Sequence, residues 1–251
     1  MTSAGQHRVA RVHVPRAPRG TRLPLVVAFH GAGATGQFME NYSGLSGLAD
    51  QKRFVVAYPS AGGSHPFWSL NETYPNGRED VRFVSDLIDT LRKRLCVDSN
   101  RVYATGVSNG GGFTARIGCG LSERFAAIAP VGGGYRAIPD CDADRPLSVL
   151  EIHGTSDNAV PYFGKPPDYR GSVPAYVQGW RQRDACAPST AARRLAYATV
   201  LVAWSKCKAG TQVAQIKRYG RGHEWPGAFG APGFSATAAV WDFFKDKVRA
   251  R

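Results

Sequence analysis

The chain has 251 residues, of which 43% are hydrophobic and 20% are charged, a composition that can bury one good core. No apolar run approaches the length of about 18 residues that a membrane span needs, which excludes an integral membrane protein. The net charge is +13, but the basic residues are spread over the whole chain, whereas a nucleic-acid binder usually concentrates them on one element. We therefore expect one globular domain over residues 1–251, with neither nucleic acid nor membrane as a partner.

Strands and helices alternate along the sequence. Residues Pro24 to His30 form a continuous apolar run, which is typical of a strand covered on both faces. The predicted strands are 8–14, 24–30, 54–58, 101–105, 125–131, 147–153 and 212–218, and the predicted helices are 38–51, 80–95, 109–119, 173–185 and 235–248. This alternation predicts an α/β fold with a mostly parallel central sheet flanked by helices on both faces. Active sites in such sheets lie at the carboxyl ends of the strands.

The residues from Arg101 to Gly112 predict a strand, a G-x-S-x-G turn and the start of a helix. In a nucleophile elbow the turn is so tight that only glycine fits on either side of the serine, which leaves the Ser108 hydroxyl above the sheet. The pentapeptide alone is a weak signal, because with 29 glycines it arises by chance in about one such chain in five. The flanking strand and helix favour a nucleophile over an ordinary N-cap serine.

Two further reactive groups follow predicted strands. Asp157 lies in His-Gly-Thr-Ser-Asp-Asn-Ala-Val-Pro, and His223 lies in Gly-His-Glu-Trp-Pro-Gly. A serine hydroxyl needs a base with a pKa near 7, so we expect His223 to take the proton of Ser108 and Asp157 to orient the imidazole. The order Ser, Asp, His is the one that this architecture uses.

Each assignment has an alternative. Asp157 is also compatible with an Asx turn that caps a loop, and His223 with a structural role. Its rivals as the acid precede the strand rather than follow it, and they are Asp140, Asp142 and Asp144. His30 and His153 end strands in His-Gly turns, where we expect them to shape loops.

An oxyanion hole needs two N–H donors that point at one spot. We expect one from Asn109, at the start of the helix after the serine, and the other from Ala32, in the loop after an early strand. Gly31 and Gly33 are the alternatives to Ala32.

Aromatic residues in or beside loops at the catalytic end suit a hydroxycinnamoyl ring or a sugar face. We predict substrate contacts from four of them: Trp68, Trp225, Tyr162 and Trp180. The competing interpretation for each is an ordinary place in the core.

The five cysteines form no C-x-x-C pair, which argues against a zinc site, and we predict no metal site. Two disulfides with one thiol left over are arithmetically possible. In an exported protein we would pair Cys186 with Cys207 and Cys119 with Cys141.

Four segments together, the run 24–33, the Gly-Val-Ser-Asn-Gly-Gly turn, His-Gly-Thr-Ser-Asp and Gly-His-Glu-Trp-Pro-Gly, resemble a family of secreted esterases. That family contains feruloyl esterases, acetyl xylan esterases and polyhydroxybutyrate depolymerases, and the match runs from about residue 8 to residue 248. The resemblance implies an α/β-hydrolase fold, a Ser108–Asp157–His223 triad, no cofactor, and export, with any leader peptide absent from this sequence. It also implies that a Cys186–Cys207 disulfide lies close to the histidine loop.

We therefore predict a monomeric serine esterase that works through an acyl-enzyme on feruloyl or acetyl esters of plant cell-wall polysaccharide. A polyester depolymerase is the nearest alternative. We expect no polymer-binding module after the domain, which favours soluble or oligomeric esters. Outside enzymes, the alternative is a non-catalytic module that binds polysaccharide or nucleic acid through its basic surface.

Overall fold

The computed structural model describes residues 1–63, 66–71, 77–135, 141, 143, 145–165, 171–188 and 191–249. Asp140, Asp142 and Asp144, the rival acids, lie outside these residues. Among the described helices, none is both long and apolar enough to span a bilayer.

A nine-stranded sheet forms the centre of the described structure. The strands are β1 Thr2–Ser3, β2 Gln6–His7, β3 Ala10–His13, β4 Leu23–Phe29, β5 Val55–Pro59, β6 Val97–Val107, β7 Ala127–Val131, β8 Ser148–Gly154, β9 Ala191–Ala196, β10 Thr199–Trp204 and β11 Val213–Arg218. Their order in the large sheet is β3-β5-β4-β6-β7-β8-β11-β10-β9, while β1 and β2 pair separately. The six strands from β5 to β11 in this order are parallel to one another, whereas β3, β10 and β9 pair antiparallel at the two edges.

Helices cover both faces of the sheet, which is why every residue of β4 is buried. The helices are α1 Gly36–Ser43, α2 Leu45–Lys52, α3 Gly77–Arg94, α4 Asn109–Gly120, α5 Val173–Arg183 and α6 Ala236–Phe244. Apolar side chains of α3, α4 and α5 pack into the core on one face, and those of α1, α2 and α6 pack on the other. The predicted α/β-hydrolase type of fold, with a mostly parallel sheet between two helical layers, is confirmed.

Several features differ from the sequence prediction, among them a helix that is divided and a hairpin at the edge of the sheet. The single predicted helix 38–51 is a pair of helices, because Gly44 has a φ of 66° and ends α1 in the left-handed conformation. The antiparallel hairpin of β9 and β10 was not predicted. Strand β9 reads Ala-Ala-Arg-Arg-Leu-Ala, which lacks the β-branched and aromatic residues that mark a strand.

Two disulfides join Cys119 to Cys141 and Cys186 to Cys207, as expected, and Cys96 is free and exposed. The implied position of the Cys186–Cys207 bridge beside the histidine loop is wrong. Cys207 precedes β11, whereas His223 follows it, and a six-residue strand spans about 20 Å. The bridge therefore lies at the amino ends of the parallel strands, opposite the candidate site.

Candidate active site

The turn between β6 and α4 holds Ser108 in a backbone conformation that few L-residues adopt. Its φ is 57° and its ψ is −120°. A Cβ at Gly106 would collide with the carbonyl oxygen of Gly110, and a Cβ at Gly110 would collide with the carbonyl oxygens of Phe29 and His30. The turn therefore needs glycine on both sides of the serine, as the motif predicts.

Asp157 and His223 form a hydrogen-bonded pair above the neighbouring parallel strands β8 and β11. Nδ1 of His223 lies 2.7 Å from Oδ2 of Asp157. Oδ1 of Asp157 accepts hydrogen bonds from the amides of Ala159, at 2.9 Å, and Val160, at 2.7 Å. The carboxylate is thus fixed by its own loop and faces the imidazole with its other oxygen.

The loops that carry this pair are joined by backbone hydrogen bonds. The amide of Thr155 donates to the carbonyl oxygen of Arg218 at 3.0 Å, and the amide of Ser156 donates to that of Arg221 at 3.0 Å. Because β8 and β11 are parallel neighbours, their carboxyl ends place both loops at one edge of the sheet.

The end of β7 connects the serine turn to the Asp157–His223 pair. The amide of Ser108 donates to the carbonyl oxygen of Val131 at 2.9 Å. A Cβ on the next residue, Gly132, would lie 3.4 Å from Cε1 and Nδ1 of His223 and 3.7 Å from Oδ2 of Asp157. The structure therefore brings Ser108, Asp157 and His223 to one edge of one sheet.

The loop after β4 lies against the serine. A Cβ on Gly31 would be 3.4 Å from Cβ of Ser108. Nε2 of the buried His30 accepts from the amide of Ala61 at 3.0 Å, so Nδ1 carries the hydrogen and donates to the carbonyl oxygen of Gly31 at 2.7 Å. Burial lowers the pKa of His30, which keeps it neutral in this role. Among the described residues, the amide of Ala32 has no protein acceptor.

Asn109 contributes to the edge of the sheet that carries Ser108 through its backbone amide and through its side chain. It is the first residue of α4, and the first amides of a helix have no intrahelical partner. Its side chain accepts from the amide of Trp68 at 2.8 Å and donates to the carbonyl oxygen of Trp68 at 2.9 Å. The backbone amide of Asn109 stays a predicted oxyanion donor, together with that of Ala32. The side chain anchors the segment that carries Trp68, a contact between residues distant in sequence that no motif signals.

The four aromatic residues predicted to contact substrate are buried. Trp68 and Trp225 are 0% exposed, Trp180 is 1% exposed and Tyr162 is 4% exposed. Trp68 packs against Phe29 and Phe113 in the core, and Nε1 of Trp225 donates to Oγ1 of Thr237 at 2.9 Å. The structure gives the predicted substrate contacts of these four side chains no support, because each one is buried.

A different aromatic cluster is exposed beside the site. The ring of Tyr42 lies 5.2 Å from the rings of both Phe38 and Phe229, which are 45% and 70% exposed. The Tyr42 hydroxyl accepts from the amide of Trp225 at 3.0 Å, which fixes the cluster to the histidine loop. Phe229 has a φ of 52°, a strained value for a residue with a side chain. Sequence analysis missed this cluster, since α1 and the histidine loop are far apart in the chain.

Hydrogen bonds decide the charge of Asp157. Burial works against ionisation, but hydrogen bonds from His153 and His223 outweigh it and lower the pKa of Asp157. Nε2 of His153 lies 3.2 Å from Oδ2 of Asp157. From the sequence we expected His153 only to shape a loop, so this contact was not predicted. In the described part of the chain, no cluster of three or more His, Cys, Asp or Glu residues is arranged to hold a metal ion.

The sheet order and the strained serine turn, with a His–Asp pair at the same edge, define an α/β hydrolase. The chain belongs to the family described as esterase PHB depolymerase, whose model matches residues 10–159. It is 28% identical over 226 residues to the bifunctional acetylxylan esterase/xylanase XynS20E of Neocallimastix patriciarum, covering 88% of this chain but only 30% of that protein. It is also 28% identical over 214 residues to the probable feruloyl esterase C of Aspergillus clavatus, covering 84% of this chain and 71% of that one.

The solved structure of an acetyl xylan esterase from Aspergillus awamori has the same fold. Its TM-score is 0.74 at 18% sequence identity, over 94% of this chain and 93% of that one. At this identity the likeness shows the fold alone.

Proposed function

We propose that this protein is a serine carboxylic-ester hydrolase that acts, as an exported monomer, on feruloyl or acetyl esters of plant cell-wall polysaccharide. The observation that carries the proposal is the geometry at the ends of β6, β8 and β11. The strained serine turn and the hydrogen-bonded His223–Asp157 pair meet at the end of β7. Ser108 donates to the carbonyl oxygen of Val131, and the His–Asp pair lies against the next residue, Gly132.

In the first half of the reaction, Ser108 Oγ attacks the ester carbonyl carbon while Nε2 of His223 takes the hydroxyl proton. Asp157 holds Nδ1–H of His223 at 2.7 Å and stabilises the imidazolium that forms. The negative charge develops on the carbonyl oxygen, where the amides of Ala32 and Asn109 donate to it. Collapse of the tetrahedral intermediate breaks the bond to the alcohol oxygen, which takes the proton from His223.

In the second half, water replaces the alcohol. His223 takes a proton from the water as its oxygen attacks the acyl-enzyme carbonyl carbon, and the same two amides stabilise the oxyanion. Collapse breaks the bond to Ser108 Oγ and returns the proton from His223 to the serine. The free carboxylic acid leaves, and the side chains regain their starting protonation states.

The proposed substrate class is supported by the names of the relatives, an acetylxylan esterase/xylanase and a feruloyl esterase. Export is supported by the two disulfides, which persist in oxidising compartments. The chain spans less than a third of XynS20E, so the comparison concerns one part of that protein.

A polyester depolymerase is the second candidate, and the exposed cluster of Phe38, Tyr42 and Phe229 favours it. Exposed apolar patches mark binding sites for apolar partners, and a solid polyester presents such a surface. The sequence-based preference for soluble esters took no account of this cluster.

Hydrolysis of a substrate panel by the wild type and by Ser108→Ala tests the proposal. The panel contains p-nitrophenyl acetate, methyl ferulate, acetylated xylan and hydroxybutyrate oligomers. We expect the wild type to hydrolyse the first three, and we expect Ser108→Ala to lose on the order of a millionfold in kcat. Activity retained in the variant would reject Ser108 as the nucleophile, and no hydrolysis by the wild type would favour a non-catalytic binding module.

The double variant Phe38→Ala with Phe229→Ala tests the second candidate. If the aromatic cluster holds a polyester surface, the variant should release hydroxybutyrate from a polymer film several-fold more slowly and still hydrolyse p-nitrophenyl acetate at the wild-type rate. Tyr197→Ala is the matched control, because Tyr197 is 85% exposed at the tip of the β9–β10 hairpin. Equal film hydrolysis by all three proteins would remove the support for the second candidate.

A further inference from the structure

Oδ2 of Asp157 faces two imidazole rings rather than one. Besides His223 at 2.7 Å, it lies 3.2 Å from Nε2 of His153, whose side chain is fully buried. The same Nε2 lies 2.9 Å from the carbonyl oxygen of Val160. Because a carbonyl oxygen only accepts hydrogen bonds, Nε2 of His153 carries a hydrogen.

The other nitrogen of His153 faces a second buried carboxylate. Nδ1 lies 2.9 Å from Oε1 of Glu151, a residue of β8 whose side chain is also fully buried. Oε1 accepts from the Tyr135 hydroxyl at 3.1 Å, and Oε2 accepts from Nε2 of Gln215 at 3.3 Å. Donors aimed at both oxygens favour the carboxylate form of Glu151, so Nδ1 of His153 also donates. The geometry is that of an imidazolium between two carboxylates.

The remaining groups around His153 do not replace either partner. Tyr162 presents its ring at 5.9 Å, while its hydroxyl accepts from Gln215. Tyr176 stacks on the ring of Tyr135, 3.8 Å away. Arg218, at the end of β11, and Glu224, in the loop of His223, form an ion pair with each other, so their charges offset one another. Of the charged side chains described here, Glu151 and Asp157 are the ones in contact with His153.

Electrostatics agrees with this geometry. Burial alone would lower the pKa of His153, but the hydrogen bonds that its ring donates to Asp157 and Glu151 outweigh burial and raise the pKa to about 10. The ring therefore carries its positive charge throughout the neutral pH range.

We propose that His153, held as an imidazolium by Glu151, is a positioning residue for ester hydrolysis that fixes Oδ2 of Asp157 and shares its negative charge with His223. The inference rests on the proposed function, because its effect is exerted through the His223–Asp157 pair. His153 does not touch the substrate. Its cation weakens the attraction of Asp157 for a protonated His223, which leaves the base free at lower pH.

The first test is the pH profile of kcat/KM for p-nitrophenyl acetate in His153→Gln. Glutamine retains an N–H donor but has no charge, so Asp157 then attracts the His223 proton more strongly. We expect the acid limb to move to higher pH by about one unit, so that kcat/KM at pH values below the limb falls by up to about tenfold. An acid limb at the wild-type pH, or at a lower one, would overturn the proposal.

The matched control is His13→Gln, the same substitution at another His–carboxylate pair. Nε2 of His13 lies 2.8 Å from Oδ1 of Asp50, at the edge strand β3 and away from the site. We expect its pH profile to coincide with that of the wild type. A shift equal to that of His153→Gln would show that the effect is not specific to the buried pair, and would overturn the proposal.

A second measurement does not depend on activity. Nitrogen-15 NMR of the histidine rings at pH 8 should show both nitrogens of His153 protonated, with His153→Gln or Ser108→Ala spectra used for assignment. A neutral ring for His153 at this pH would reject the imidazolium. If the wild type hydrolyses no ester, the proposed function fails on its own, and the spectrum still decides the charge.

Discussion

Two buried aspartates lie at opposite ends of β8, and their surroundings differ sharply. Asp157 follows the carboxyl end of the strand, where each of its oxygens has two hydrogen-bond donors. Asp184 lies at the amino end, where its Oδ2 accepts from the amide of Leu147 at 3.1 Å and from the hydroxyl of Thr211 at 2.9 Å. Among the described residues, Oδ1 of Asp184 is buried without a partner.

The pKa values follow the donors rather than the burial. Burial opposes the charge of both carboxyls, yet the pKa of Asp157 is lowered while that of Asp184 is raised to about 6. The comparison teaches that the edge with the candidate site keeps a buried carboxylate ionised by surrounding it with donors. At the opposite edge, Asp184 has fewer donors, and its pKa is raised.

The largest expected effect is that of Asp157→Asn. An amide cannot stabilise the His223 cation and favours the wrong imidazole tautomer, so we expect kcat for p-nitrophenyl acetate to fall by about 10⁴-fold. Asp184→Asn is the matched control, with kcat expected within about twofold of the wild type. Equal losses in the two variants would mean that the two edges do not differ in function.

The next largest expected effect is the loss of stability when the Cys186–Cys207 disulfide, which lies beside Asp184, is removed. The backbone amide of Lys208, next to Cys207, donates to the carbonyl oxygen of Asp184 at 2.7 Å. Removing the bridge with Cys186→Ser and Cys207→Ser should lower the free energy of unfolding by about 3 kcal/mol, because the loop is no longer closed in the unfolded chain. Urea unfolding measures this, with Cys96→Ser as the neutral control. We expect kcat to stay at the wild-type value, and a large loss would show that the bridge supports the catalytic edge after all.

The smallest effect is a change in how stability depends on pH. A raised pKa means that Asp184 stabilises the folded state while it is protonated, below about pH 4, and that this stabilisation is lost as the pH rises through about 6. Asn at position 184 does not titrate, so the variant keeps this stabilisation as the pH rises. Between about pH 4 and pH 6, the free energy of unfolding of Asp184→Asn should therefore rise by about 1–2 kcal/mol relative to that of the wild type. Urea unfolding at pH 4, 5, 6 and 7 measures the difference. Parallel curves for the two proteins would contradict the assigned shift.

The sequence predicts which residues meet at the edge with the candidate site, because backbone geometry dictates their placement. The serine turn requires glycine at 106 and 110, and parallel strands bring the loops that follow them to one edge. The parts that sequence analysis missed depend on contacts between distant segments. Trp68 is buried because the Asn109 side chain holds its backbone, and His153 acquires its role only through Glu151 and Asp157.

Strand β9, at the edge of the sheet, is another element that the sequence alone does not predict. Strand β9 forms because β10 offers it a backbone to pair with, although its own residues have little preference for a strand. The Cys186–Cys207 pairing was correct while its place in the fold was wrong. Knowing which two cysteines pair does not tell which end of the sheet the disulfide occupies.

The central claim is that Ser108 is the residue that becomes acylated, and covalent labelling tests it most directly. A fluorophosphonate probe should add one label per wild-type molecule, found on the peptide that carries Ser108 when the digested protein is sequenced by mass spectrometry. The label should be absent from Ser108→Ala and slow to form in Asp157→Asn. Labelling of a different residue in the wild type, or labelling of Ser108→Ala at the wild-type rate, would contradict the account.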